Sequence, residues 1–179
     1  MAEFDCLRLV AHPARVTRTA DVSVRWLLTP DALTLRYDWP TVGIRFPAAA
    51  GAARADGLWQ HTCGELFIAD ADATAYREFN FAPSGEWACY DFAAYRQRAE
   101  VAPKVPAPHI RFAVDAIGAR LDVRLSRASL PPSGGQWLAG VTAVTECDDG
   151  MLEYRALTHP AADPDFHDRA GFILKWAST

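Results

Sequence analysis

The sequence predicts an all-β protein, an antiparallel β-sandwich of jelly-roll character with about ten or more strands, in a single domain over residues 1–179. Three observations carry the prediction. Many short segments alternate apolar and polar residues with period two. Gly, Pro and Asp bound those segments. No alternation of strand with helix runs along the chain, which points to a sandwich or barrel rather than a parallel α/β sheet.

Taken in order, Val22, Val24 and Trp26 alternate with Ser23 and Arg25, and Leu33, Leu35 and Tyr37 with Thr34, Arg36 and Asp38. Each reads as a strand with one dry face and one wet face, and Thr29-Pro30-Asp31 is the turn between them. Residues 48–57 are rich in Ala and Gly and read as a mobile loop. Strands are expected over 58–68, 76–81 and 86–92, and a helix over 91–100, where Phe92, Tyr95 and Arg96 are spaced for one face. Residues 103–108 resemble a linker but are too short to divide the chain into separate domains. Further strands are expected over 109–117, around Leu121, Val123 and Leu125, and over 138–146, 152–157 and 171–176. Ile117-Gly118-Ala119 and Asp148-Asp149-Gly150 have hairpin-turn chemistry, and 131–135 is a longer loop.

Composition narrows the function. A domain of this size buries roughly 70% of its unfolded surface, so a core needs no metal or disulfide staple. The net charge is −4 and the only lysines are Lys104 and Lys175. No basic stripe is present, so nucleic acid is not an expected partner. No stretch approaches the ~20 apolar residues of a membrane span. The start lacks the pattern of a signal peptide, which sets the expectation of a cytoplasmic protein. Cys6, Cys63, Cys89 and Cys147 are scattered and read as free, mostly buried thiols.

The chemistry concentrates in two blocks. In 57–68, Cys63 and Glu65 share one strand face, and Leu66 and Ile68 the other. In 76–87, Tyr76, Glu78 and Asn80 share one face, and Arg77, Phe79 and Phe81 the other. If these strands pair, Glu65, Glu78 and Asn80 stand together, with Trp59, Tyr76 and Trp87 nearby. Carboxylates and amides suit paired hydroxyls, and a ring covers the C–H face of a sugar. A ring burying ~100 Å² contributes ~2.5 kcal/mol at ~25 cal/mol per Å², so two rings imply micromolar to millimolar affinity after ordering costs. The bland alternative places Trp59 and Trp87 in the core and Glu65 and Glu78 on a solvated face, and residue types alone favour it.

Residues 157–169 form a loop holding His159, Asp163, Asp165, His167 and Asp168. Their types suit a metal but their spacing matches no site, and His61 with Cys63 does not close one, so no metal site is assigned. A hydrolase would use Glu65 and Glu78 as acid and base. No nucleophile elbow, Walker or dinucleotide motif is present, so a non-enzyme is expected.

The segments Leu58-Trp-Gln-His-Thr-Cys63, Glu65-Leu-Phe67, Tyr76-Arg-Glu-Phe-Asn-Phe-Ala-Pro-Ser-Gly-Glu-Trp87 and Tyr95-Arg96 resemble the bacterial DOMON-like domains, which are similar to family nine carbohydrate-binding modules. Leu157-Thr-His-Pro160, Pro164-Asp-Phe-His167 and Phe172 fit the same pattern, so the resemblance spans nearly the whole chain. It implies a β-sandwich with a sugar or haem site on one face, and carries the roles of sugar ligands to Trp59 and Glu65, with Glu78 and Asn80 after them. The candidate ligand-binding residues are thus Trp59, His61, Glu65, Tyr76, Glu78, Asn80, Trp87, His159, Asp165 and His167, and the expected partner is a saccharide. Two departures stand out: Gly64 and Arg155 occupy positions where the family often has an aromatic. Haem is the alternative cofactor: haem-binding relatives use a Met and a His as axial ligands, but Met151 follows Asp149-Gly150 in a turn, a poor place for one, while His61, His109, His159 and His167 are available. Calcium would sit in the 163–168 loop. A protein-interaction module is the third reading.

Overall fold

A computed structural model describes residues 5–178. Among them are thirteen strands: β1 (Asp5–Ala11), β2 (Val22–Leu28), β3 (Ala32–Trp39), β4 (Ile44–Arg45), β5 (Cys63–Asp70), β6 (Tyr76–Phe81), β7 (Trp87–Ala94), β8 (Gln97–Arg98), β9 (His109–Val114), β10 (Ala119–Ser126), β11 (Gln136–Cys147), β12 (Leu152–Ala156) and β13 (Leu174–Ala177). Three 3-10 turns, Leu58–Gln60, Arg127–Ser129 and Arg169–Gly171, are the only helical pieces among the described residues. No helix there is long and apolar enough to cross a membrane.

All strand pairs are antiparallel, along the path β8-β7-β6-β5-β11-β12-β1-β2-β3-β10-β9, with β4 and β13 joined to β11. The path folds over at β1. Residues 5–9 pair with β2, and Val10 and Ala11 pair with β12. One strand thereby serves both layers of the sandwich, a standard way of turning a corner between packed sheets. The inner faces meet in one core, where Val24, Leu35, Leu121 and Val123 of the first layer join Leu66, Ile68, Phe79, Phe81 and Val141 of the second. Each such side chain contributes about 1.5–3 kcal/mol by leaving water. Polar ties cross the same gap: Tyr37 Oη donates to Glu65 O at 2.7 Å, and Trp39 Nε1 to Thr145 Oγ1 at 3.2 Å.

The second layer is covered on its outer side as well. Phe67, Tyr76, Tyr90 and Phe92 pack with Phe172 and Phe166, which arrive on the segment after β12. That roof explains why β5 is buried on both faces, and it frames the site described below.

Several local expectations need correction. Residues 91–100 are not helical: β7 runs to Ala94, turns at Tyr95-Arg96 and returns as β8, with a bulge between Phe92 and Ala94. Arg96 takes a left-handed φ of 55°, which ends any helical course. Residues 58–68 are not one strand, because Gly57 at φ 78° opens the 3-10 turn that carries Trp59 before β5 begins. The 48–57 loop is tied to the β6–β7 hairpin. Ala55 N–H donates to Trp87 O, Trp87 N–H donates to Ala53 O, and the Arg54 guanidinium lies 5.4 Å from the Trp87 ring centre. All four cysteines are free; Cys6 is exposed and the other three are buried.

Candidate functional site

Register decides which side chains meet. Across β5 and β6, Glu65 stands opposite Asn80 and Phe67 opposite Glu78. Across β6 and β7, Glu78 stands opposite Tyr90. Across β5 and β11, Glu65 stands opposite Thr142, and β12 places Tyr154 opposite Val144. The outer face of the second layer therefore carries Tyr90, Glu78 and Phe67 in one row, Asn80, Glu65 and Thr142 in the next, and Val144 and Tyr154 beyond. Trp59 walls one side, Arg96 and Arg98 a second, and Pro164, Phe166 and His167 roof a third. The result is a groove of about 490 Å³, inside the roughly 300–1,000 Å³ of small-molecule sites.

Its floor holds two carboxyl groups. Glu65 and Glu78 are diagonal neighbours on paired strands, which sets their Cβ atoms roughly 7–8 Å apart or less. They are 2% and 5% exposed. Glu65 accepts from Thr142 Oγ1 at 3.0 Å and faces the Cys63 thiol at 3.8 Å. Burial, then the charge of Glu78, push the Glu65 carboxyl up to about 8. Glu65 is thus mostly a neutral acid at pH 7. Burial also raises Glu78, against the hydrogen bond from Asn80 Nδ2 at 2.6 Å and the charges of Arg98 and Arg96. The two carboxyls titrate as one coupled pair, both raised, so the buried floor resists carrying two full negative charges.

His167 is fixed by a chain of donors. Arg96 N–H donates to Tyr76 Oη at 3.1 Å, which leaves the phenol hydrogen for His167 Nδ1 at 2.8 Å. The ring proton is assigned by this network to Nε2, 3.8 Å from Glu78 Oε2. Burial and then the Arg96 charge bring the His167 pKa down to about 4, so the ring is neutral at pH 7. Asp165 anchors the roof: it accepts from Tyr95 Oη, from Arg96 Nη2 at 2.8 Å and from His167 N–H at 3.0 Å. These bonds hold its carboxyl below the usual range in spite of burial.

Of the residues singled out in the sequence, Trp59, Glu65, Glu78 and His167 line the groove. Asn80 and Tyr76 lie beneath it as partners of Glu78 and His167, and Asp165 braces its edge. Three lie elsewhere. Trp87 stands opposite Phe81 and is turned into the core between the layers, 6% exposed. His61 binds Glu146 at 2.7 Å, and His159 binds Val10 O at 2.9 Å and stacks edgewise on His12. Tyr90, Phe92, Arg98, Tyr154 and Phe166 line the groove and were not singled out. Strand parity marks Tyr90: it alternates with Cys89, and Cys89 shares the core face with Trp87.

The two departures from the family pattern lie off the groove. Arg155 is wholly buried in an ion cluster with Glu153 and Asp21. Gly64 faces the core, and a Cβ there would stand 2.8 Å from the Tyr37 ring. Gly64→Ala is therefore expected to cost roughly 1–3 kcal/mol by overpacking, read as a lower urea midpoint. An unchanged midpoint would show that the ring does not approach the backbone so closely.

The 163–168 loop does not gather its carboxylates. Asp163 faces Arg15 at 3.7 Å, Asp165 faces Arg96, and Asp168 caps the turn at Ala170. Among the described residues, no three His, Cys, Asp or Glu side chains are placed to hold a metal ion. Met151 is 58% exposed in the β11–β12 turn and does not line the groove.

No protein-family model matches the chain. No curated protein matches it in sequence. Its fold is similar to that of a candidate carbohydrate-binding protein from Bacteroides uniformis, with a TM-score of 0.73 and 16% identity over 98% of this chain and 86% of that one. It is also similar to a family 9 carbohydrate-binding module from Caldicellulosiruptor kristjanssonii in complex with cellotriose, with a TM-score of 0.55 and 11% identity over 90% of this chain and 75% of that one. At these identities the likeness is one of fold: the chain is a β-sandwich of the kind those proteins adopt.

Proposed function

We propose that the chain is a carbohydrate-binding module that holds a saccharide in this groove without reacting with it. The observation that carries the proposal is the joining of polar floor and aromatic wall. The Glu65–Glu78 pair lies between Trp59 and Tyr90 on one side and Tyr154 and Phe166 on the other. Trp59 remains 39% exposed, with its ring packed edge-on against Tyr90 at 6.0 Å, so indole surface is left for a ligand. Sugar hydroxyls find acceptors on the floor, and sugar C–H faces find rings. The cellotriose bound by one fold relative, and the carbohydrate-binding description of the other, support the same reading.

Hydrolysis needs one carboxyl on each side of the scissile bond. Glu65 and Glu78 rise from adjacent strands of one floor and approach any ligand from the same side. That arrangement favours binding over catalysis.

A thermal-shift panel of mono- and oligosaccharides tests the proposal, followed by calorimetric titration of the native chain and Trp59→Ala. At least one saccharide is expected to raise the melting temperature. Trp59→Ala should weaken its binding about thirtyfold, from the loss of about 2 kcal/mol of ring contact. Undiminished affinity in the variant would remove the groove as the site, and a panel with no shift would remove the function.

A further inference from the structure

Donors and acceptors on the groove floor do not balance. Glu65, Glu78 and Asn80 bring five oxygens, one of which bears the proton that Glu65 keeps. The Thr142 hydroxyl, the Cys63 thiol and the Asn80 amide are the donors that reach the two carboxyls. Asn80 Oδ1 is buried with no partner. Among the described residues Glu78 Oε2 accepts no hydrogen bond, and His167 Nε2 stands 3.8 Å from it, beyond hydrogen-bond reach. The Glu78 side chain is only 7% exposed, and it lines the groove.

The charges are uneven in the same sense. Arg96 is held by Asp165 at 2.8 Å. Arg98 lies 3.7 Å over the Tyr90 ring centre and 3.5 Å from Asp56. Each arginine has its own carboxylate, so these pairs cancel. Among the described residues neither floor carboxyl has an arginine or lysine within ion-pair distance, and the His167 ring facing Glu78 is neutral. Aromatic faces line the space above, and ring faces attract cations.

We propose that the saccharide taken by this groove carries a protonated amine, which docks on Glu78. The inference rests on the saccharide reading above and narrows it to amino sugars. An ammonium offers three donors and no acceptor. It fills the open valence of Glu78 Oε2 with a charge-assisted bond and offsets the unpaired charge, where a neutral hydroxyl does only the first.

The test is calorimetric titration of the native protein with glucose, galactose, their 2-amino and 2-acetamido forms, and glucuronate. An amino sugar is expected to bind at least about tenfold more tightly than its parent sugar, with the acetamido form and glucuronate weaker than the amine. Glu78→Gln, checked for folding by its melting curve, should bring the ratio of amine to parent sugar close to one. Equal binding of amine and parent sugar by the native protein overturns the inference and leaves the saccharide reading standing. Tighter binding of glucuronate overturns it in favour of Arg96 and Arg98 as the deciding charges. Binding of none of these sugars overturns it too, and the wider panel then shows whether the saccharide reading falls with it.

Discussion

Arg155→Ala is expected to destabilise the fold by about 3–5 kcal/mol, the range for removing one partner of a buried ion pair. Arg155 is 0% exposed and donates to Asp21 at 2.9 Å, Glu153 at 2.6 Å and both oxygens of Thr19 at 2.8 Å. Glu153 is itself only 4% exposed. Without the guanidinium, its carboxylate keeps Thr19 Oγ1 and the Arg18 and Thr19 amides but loses its only buried cation. At roughly 2–4 °C per kcal/mol for a chain of this size, the melting temperature should fall by roughly 6–20 °C. Arg155→Leu combined with Glu153→Leu separates charge from volume. Replacing both partners with apolar groups should recover most of the loss. A double variant no more stable than Arg155→Ala would mean that the bonds of Arg155 to Asp21 and Thr19, and not the unpaired charge of Glu153, carry the loss.

Arg155 also shows where reading from sequence stops. Beside Tyr154, it stood as a missing aromatic of the binding face. Parity along β12 separates the two: Tyr154 reaches the groove, and Arg155 reaches the core side, opposite Ala143. Strands with one wet face, such as β3 and β10, were legible because alternation survives there. β5 is buried on both faces, so its beginning blurred into the turn that carries Trp59. Trp87 was placed near the site for being a tryptophan, yet its own alternation with Ala88 and Tyr90 turns it to the core. The Tyr95-Arg96 turn is held by Tyr76 and Asp165, distant in sequence, and no local pattern announces such bonds. The same is true of Phe166 and His167, whose place over the floor is set by ring packing on Phe67. That Glu65, Glu78 and Asn80 could share one face was visible in advance because side chains alternate along any strand, whereas the register that sets Glu65 opposite Asn80 was not.

Between pH 6.5 and 8 the protein should lose stability as the pH rises, by up to about 1.4 kcal/mol per pH unit for a proton held only in the fold. Glu65 is the main source. Its pKa is about 8 in the fold against 4.5 in the open chain, so between those values the native state keeps a proton that the unfolded state has released. Stability therefore falls with rising pH until Glu65 itself ionises. Glu78, also raised, acts with the same sign. His167 acts oppositely. Held to about 4 against 6.5, it stays neutral in the fold where the unfolded ring takes a proton, so stability is lost as pH falls from 6.5 towards 4. His159, lowered by burial, adds to that acid-side loss. From pH 4.5 to 6.5 the opposing slopes largely offset each other, and above 6.5 the histidines drop out and the carboxyl slope stands alone. Urea unfolding at half-unit steps from pH 5 to 8.5 reads both limbs. Glu65→Gln should flatten most of the alkaline limb and leave the acid one. A native protein with a level line from 6.5 to 8 would show Glu65 ionised like any open carboxylate.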